Sequence, residues 1–101
     1  MKKNKVYIDQ DLETLIPQYL DNREEDIRRL KTLIEAENYE KIRIIGHSLK
    51  GSGGGYGFDY LTELGSQIEK NAELKNREDI ELIINKLENY LDNLEIIYQE
   101  D

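Results

Sequence analysis

His47 is the one histidine of the chain, and it opens the run His47-Ser48-Leu49-Lys50-Gly51-Ser52, which leads into Gly53-Gly54-Gly55-Tyr56-Gly57. A neutral imidazole carries a lone pair on one ring nitrogen and a proton on the other, so it can act as a nucleophile or a proton shuttle near neutral pH. Lys50 follows three residues later on what the spacing makes a helix face, close enough to meet an anionic group carried on the ring. Its ammonium would act as a point charge that offsets negative charge during a transfer. Gly51 costs about 1 kcal/mol relative to alanine inside a helix. The compensation is access, because a side chain four residues after His47 would stand beside the imidazole. Ser52 either satisfies backbone groups near the helix end or is simply small. Most single histidines are ordinary surface or capping residues, so the case rests on these neighbours.

A nucleophilic imidazole works best when its second nitrogen is fixed by an acceptor, and Glu69 is the candidate. An antiparallel hairpin returning from the glycine turn brings Glu69 back beside His47. A carboxylate there would hold the tautomer and stabilise positive charge on the ring, the logic that orients catalytic and metal-bound histidines. The competing reading of Glu69 is a solvated helix residue. Other chemistries fail on the residues. The glycine run fits neither the phosphate-binding loop with its terminal lysine and hydroxyl nor a dinucleotide fingerprint after a strand, so no ATP site is visible. With one histidine, no cysteine and scattered carboxylates, the chain lacks the clustered ligands of a zinc or calcium site.

The elements that must position these residues follow from apolar spacing. Leu12, Leu15, Ile16, Tyr19, Leu20, Ile27, Leu30 and Ile34 recur at three-and-four steps, interrupted by Pro17. Proline disfavours helical geometry in the residue before it, which predicts a short first helix at about 9–15 and a long second one at about 17–37. Asn38 is a turn and cap residue, and Tyr39, Ile42, Ile45 and Leu49 mark the buried side of a third helix. At 100° per residue His47 lies about 200° from Ile45, so its ring faces solvent together with Arg43, Ile44, Lys50, Gly51 and Gly54. Phe58, Leu61, Leu64, Ile68 and Ala72 describe a fourth helix. Asn76, with Asp79 three residues on, caps a fifth in which Ile80, Ile84, Leu87, Leu91, Leu94 and Tyr98 keep the bundle spacing. No period-2 pattern of useful length stands out. The expected fold is all-α, an antiparallel up-and-down four-helix bundle with a short N-terminal helix, in a single domain over 1–101.

Composition narrows the partners. The chain has 101 residues, 38% hydrophobic and 36% charged, which suits a small bundle whose helices each bury one stripe. A net charge of −8 works against phosphate-backbone binding, so nucleic acid is a poor partner. The segment Met1 to Gln10 lacks the apolar run of a signal peptide and nowhere is there a membrane-length apolar stretch, which leads us to expect a cytoplasmic protein.

The run His47-Ser48-Leu49-Lys50-Gly51-Ser52, followed by Gly57, Leu61, Leu64 and Ile68, resembles the signature of histidine phosphotransfer domains of bacterial two-component phosphorelays. That pattern is histidine, any residue, an apolar residue, lysine, glycine and often serine, then a glycine and a leucine-rich helix. The resemblance implies that His47 is the phosphoacceptor and that Lys50 and Glu69 assist it. The outward position of Arg43, Ile44, Gly51 and Gly54 around His47 makes them the expected docking face. Response-regulator receiver domains, with a hybrid sensor histidine kinase as a further candidate, are the implied partners of a monomeric carrier with no cofactor of its own, magnesium belonging to the receiver. A glutamate at position 69 is similar to the phosphoacceptor domains of chemotaxis kinases, which implies an alternative route, direct phosphorylation by a kinase. A helical adaptor without phosphate chemistry is a third reading. Gly53, Gly54 and Gly55 depart from the family, which more often carries small side chains here. Either they allow close backbone approach or they mark a loosely wound helix end.

Overall fold

The computed structural model describes residues 3–100; the ends of the expected domain, Met1, Lys2 and Asp101, lie outside them. In chain order the elements are β1 (Asn4–Asp9), α1 (Ile16–Glu35), α2 (Tyr39–Ser52), α3 (Asp59–Glu73), α4 (Arg77–Asp92) and β2 (Leu94–Gln99), with single 3-10 turns at Gln10–Leu12 and Gly54–Tyr56. Four helices make the chain mostly helical. α2 packs most extensively on α3, α1 packs on α2 and α4, and α3 also packs on α4.

Local chemistry sets the helix ends. Pro17 occupies the first turn of α1, where its missing N–H is no loss and its fixed φ suits a helix. The Asn38 side chain accepts from the Lys41 N–H at 3.2 Å and caps α2. Asn76 caps α4, accepting from the Asp79 N–H while its own amide donates to the Asp79 carboxylate at 2.8 Å. α1 and α3 both close through a left-handed residue, Glu37 (φ 52°) and Lys75 (φ 53°). In each case the next N–H reaches back to an orphan carbonyl, Asn38 to Leu33 and Asn76 to Asn71.

The predicted stripes meet in one core. Ile16, Tyr19, Ile27, Leu30 and Ile34 of α1 are buried with Ile42, Ile45 and Leu49 of α2, Leu61, Leu64, Ile68 and Ala72 of α3, and Ile80, Ile83, Ile84, Leu87 and Tyr90 of α4. Leu15, which the spacing put on the same stripe, is exposed because α1 begins only after it.

Both ends of the chain differ from the sequence reading. In place of a short N-terminal helix at 9–15, residues Asn4–Asp9 form a strand and only Gln10–Leu12 make a turn, capped by the Asp9 carboxylate, which accepts from the Asp11 N–H at 2.9 Å. The final helix stops at Asp92, and Leu94 and Tyr98, read as its continuation, belong to a strand. β1 and β2 pair in parallel, with Val6 opposite Ile96 and Ile8 opposite Tyr98. Val6 and Ile8 alternate toward the core with Leu94, Ile96 and Tyr98, so a period-2 pattern is present after all, and its β-branched and aromatic residues suit a half-buried pleated surface.

Candidate functional site

The site lies where α2 and α3 run closest together. Gly46 and Gly65 set that spacing. A Cβ on Gly46 would come within 2.7 Å of the Glu69 backbone nitrogen and 2.9 Å of the Gly65 carbonyl oxygen. One on Gly65 would collide with the Lys50 backbone nitrogen and lie 2.7 Å from the Gly46 carbonyl oxygen. Only hydrogen fits at either position. The flanking residues His47, Lys50 and Glu69 are therefore held within side-chain reach across the helix pair.

His47 projects from α2 with 69% of its side chain exposed, while Glu69 on α3 keeps 16%. The ring Nδ1 and Glu69 Oε2 are 2.8 Å apart. Lys50 Nζ lies 3.5 Å from the other carboxylate oxygen, Oε1. The hydrogen bond to His47 holds the Glu69 carboxyl below the usual carboxylate range; partial burial opposes this, and the charges of His47 and Lys50 add to it. Glu69 is thus an anion at neutral pH, and an ionised carboxylate can only accept. Nδ1 must then carry a proton, and in the neutral ring this leaves Nε2 with the lone pair. The arrangement presents one nucleophilic nitrogen, a counter-charge behind the ring and a cation beside it.

The remaining predicted residues fall into place unevenly. Ile44 is 52% exposed one turn before His47. Gly51 is exposed, and a Cβ there would meet nothing within 4 Å, so packing does not require glycine at that position. Gly54 is exposed and its N–H donates to Thr62 Oγ1 at 2.8 Å. Arg43 is half-buried, and its guanidinium donates to Glu40 at 2.7 Å, so it is a paired charge and not a free cation at the edge. The glycine cluster divides. Gly53 allows close approach, since its Cβ would stand 2.7 Å from the Thr62 nitrogen, whereas at Gly55 there is open space. Gly57 adopts φ 94°, the left-handed conformation that ends the turn before α3.

Several supporting residues were not singled out from the sequence. Thr62 Oγ1 accepts from Gly54 and donates to the Lys50 carbonyl at 3.1 Å, tying the end of α2 to α3. Ser52 serves neither of its two expected roles but anchors α2 to α1, through Tyr19 Oη at 3.0 Å and Arg23 Nη1 at 3.2 Å. Arg23 lies 4.6 Å above the Tyr19 ring and pairs with Asp26 at 3.0 Å. Burial pushes the Asp26 carboxyl up despite that partner. Gly46 and Gly65 had a legible signal, because each sits within an apolar stripe, beside Ile45 and between Leu64 and Ile68.

Among the described residues no three His, Cys, Asp or Glu side chains are grouped to hold a metal, and no helix is long and apolar enough to cross a membrane. An exposed histidine fixed by a carboxylate from the neighbouring helix defines a helical domain built to present an imidazole. A family model described as Hpt domain matches residues 14–96, most of the chain, and the chain belongs to that family. Histidine phosphotransfer in the phosphorelays of two-component signalling is the family's activity, and its partners there are response regulators and kinases. No match is found among curated proteins or among solved structures.

Proposed function

We propose that His47 is the phosphoacceptor of a monomeric, single-domain phosphorelay carrier acting in the cytoplasm, its four helices forming an antiparallel up-and-down bundle. The observation that carries this reading is the 2.8 Å contact between His47 Nδ1 and an anionic Glu69, which reserves Nε2 for attack. Nε2 attacks the phosphorus of an aspartyl phosphate on a receiver domain; the N–P bond forms as the P–O bond breaks, returning the aspartate carboxylate. The Nδ1 proton stays in place, so the phosphorylated ring carries a positive charge facing Glu69. Lys50 meets the phosphoryl oxygens. Positioning and electrostatics supply most of the catalysis in such transfers, with magnesium held by the receiver.

Phosphorylated receiver should label the wild-type chain with phosphate that is acid-labile and base-stable, and should leave His47→Gln unlabelled. Label on His47→Gln would place the phosphate on another residue and end this reading, whereas partner function of the unlabelled variant would end it in favour of the adaptor. The carboxylate at position 69 also supports a second route, direct phosphorylation by a kinase, with the phosphoryl group coming from ATP on that enzyme. Incubation with kinase plus ATP in the absence of a receiver separates the two routes.

Docking is assigned to Ile44, Gly51 and Gly54, with Lys50 and Arg43 at the rim. An apolar residue half exposed beside the nucleophile is the feature a partner would cover. Ile44→Glu should slow transfer at least tenfold, equivalent to about 1.4 kcal/mol of lost transition-state stabilisation, while the variant stays folded. An unchanged rate in a stably folded variant would refute this docking face.

A further inference from the structure

The parallel pair β1–β2 leaves one edge of β1 open, and that edge borders a groove. Among the described residues the sheet has two strands only. The Asn4 N–H donates to the Asn93 carbonyl, and the register pairs Asn4 with Leu94, Val6 with Ile96 and Ile8 with Tyr98. Successive residues of a strand point their N–H and C=O groups to opposite sides, so Asn4, Val6 and Ile8 face β2 while Lys5, Tyr7 and Asp9 present theirs to the free edge. Such an edge is a template for another strand.

An open groove of about 650 Å³ lies along β1, lined by Lys3, Lys5, Tyr7, Gly57, Asp59 and Tyr60. It adjoins a second depression of about 400 Å³ that shares Asn4, Tyr60 and Tyr90 and adds Lys86. The Tyr60 and Tyr90 rings, 4.9 Å apart, form an aromatic floor at the junction. Burial pushes the Tyr90 phenol up to about 12, so its hydroxyl stays uncharged. The charged lining is mostly cationic. On a chain of net charge −8, three lysines and one aspartate line the two depressions, and Lys3, Lys5 and Lys86 form no ion pair among the described residues. A Tyr7 side chain 56% exposed lies among them.

We propose that the free edge of β1 accepts an extended, acidic peptide segment of a partner protein as a third strand. Alternate apolar side chains would lie on Tyr60 and Gly57, and the intervening carboxylates would meet Lys3, Lys5 and Lys86. A second copy of this chain fits less well, because its own β1 edge carries the same Lys3 and Lys5 and would bring like charges together. The groove is separate from His47. Asp59 begins α3 and Glu69 lies ten residues further along, about 15 Å at the rise of a helix. The inference stands independently of phosphotransfer.

The test uses a blocked peptide of about seven residues, a normal strand length, alternating glutamate and valine, and the same peptide with lysine for glutamate. Amide hydrogen exchange of Lys5, Tyr7 and Asp9 should slow by about tenfold or more with the glutamate peptide and not with the lysine peptide. His47→Gln should bind equally well. Tyr7→Pro removes an outward N–H without touching the β1–β2 ladder and should abolish the protection. Should that variant lose the strand, the double charge reversal Lys5→Glu with Lys86→Glu, both exposed, should weaken binding about tenfold or more. Protection absent at millimolar peptide would overturn the proposal. So would equal binding of the lysine peptide, or protection that rises with protein concentration alone, which would assign the edge to a second copy.

Discussion

Glu69 is asked to do two things, fix the tautomer of His47 and stay ionised while partly buried, and both leave a trace in stability. The groups facing it are His47 and Lys50, and the hydrogen bond to the ring is the larger cause of its lowered pKa. A carboxyl whose folded pKa lies below its unfolded value contributes stability that is present above the usual carboxylate range and is lost as pH falls through the folded value. Urea midpoints of wild type and Glu69→Gln should therefore differ by a constant amount at neutral pH and converge on acidification through that window. Curves that stay parallel throughout would mean the carboxylate is not coupled to the site. The placement of this residue beside His47 was legible in advance because only a hairpin was needed to bring it there. Arg43 was not, since its partner Glu40 lies on its own helix surface and competed with the expected outward pose.

At the scale of elements, the α2–α3 contact decides whether the site exists, and two glycines of opposite character test it. Gly65→Ala puts a methyl against the Lys50 backbone and the Gly46 carbonyl, atoms that cannot swing aside, and overpacking of this kind costs about 1–3 kcal/mol. Gly51→Ala meets open space and should stabilise α2 by roughly 0.5–1 kcal/mol, because alanine is the better helix former. If access is why Gly51 is glycine, that more stable variant should transfer phosphate more slowly. Thermal melts of both variants settle the signs. The helices themselves were readable because each carries a stripe at three-and-four spacing ended by an asparagine, a proline or the glycine run. The strands were hidden for a physical reason. Leu94 and Tyr98 satisfy a four-residue step as well as a two-residue one, and Ile96 between them was the only discriminating residue. β1 pairs with a segment at the far end of the chain, so no hairpin turn announces it. The glycine pair was likewise visible as types within stripes, but its meaning required knowing which two helices are neighbours.

At the scale of the whole molecule, the two strands join the beginning and end of the described chain over the same core that holds the helices. Ile8 is buried among the helical core residues, and a Cβ on Gly57, at the turn leading into α3, would stand 3.3 Å from the Ile8 side chain. The N-terminal strand therefore braces the turn that follows α2. If strands and helices form one cooperative unit, Ile8→Ala should cost about 2–5 kcal/mol, a large share of the 5–15 kcal/mol typical of a domain. It should also lower the midpoint reported by helical circular dichroism and by tyrosine fluorescence equally, since Tyr7 and Tyr98 lie in the strands while Tyr19 and Tyr90 lie in helices. Were the strands a separate appendage, helical melting would be unchanged and only the tyrosine signal would shift. His47 sits on the helices alone, so in that case the variant would keep its full phosphotransfer rate at temperatures where the strands have melted. A cooperative fold requires the rate and both spectroscopic signals to be lost together.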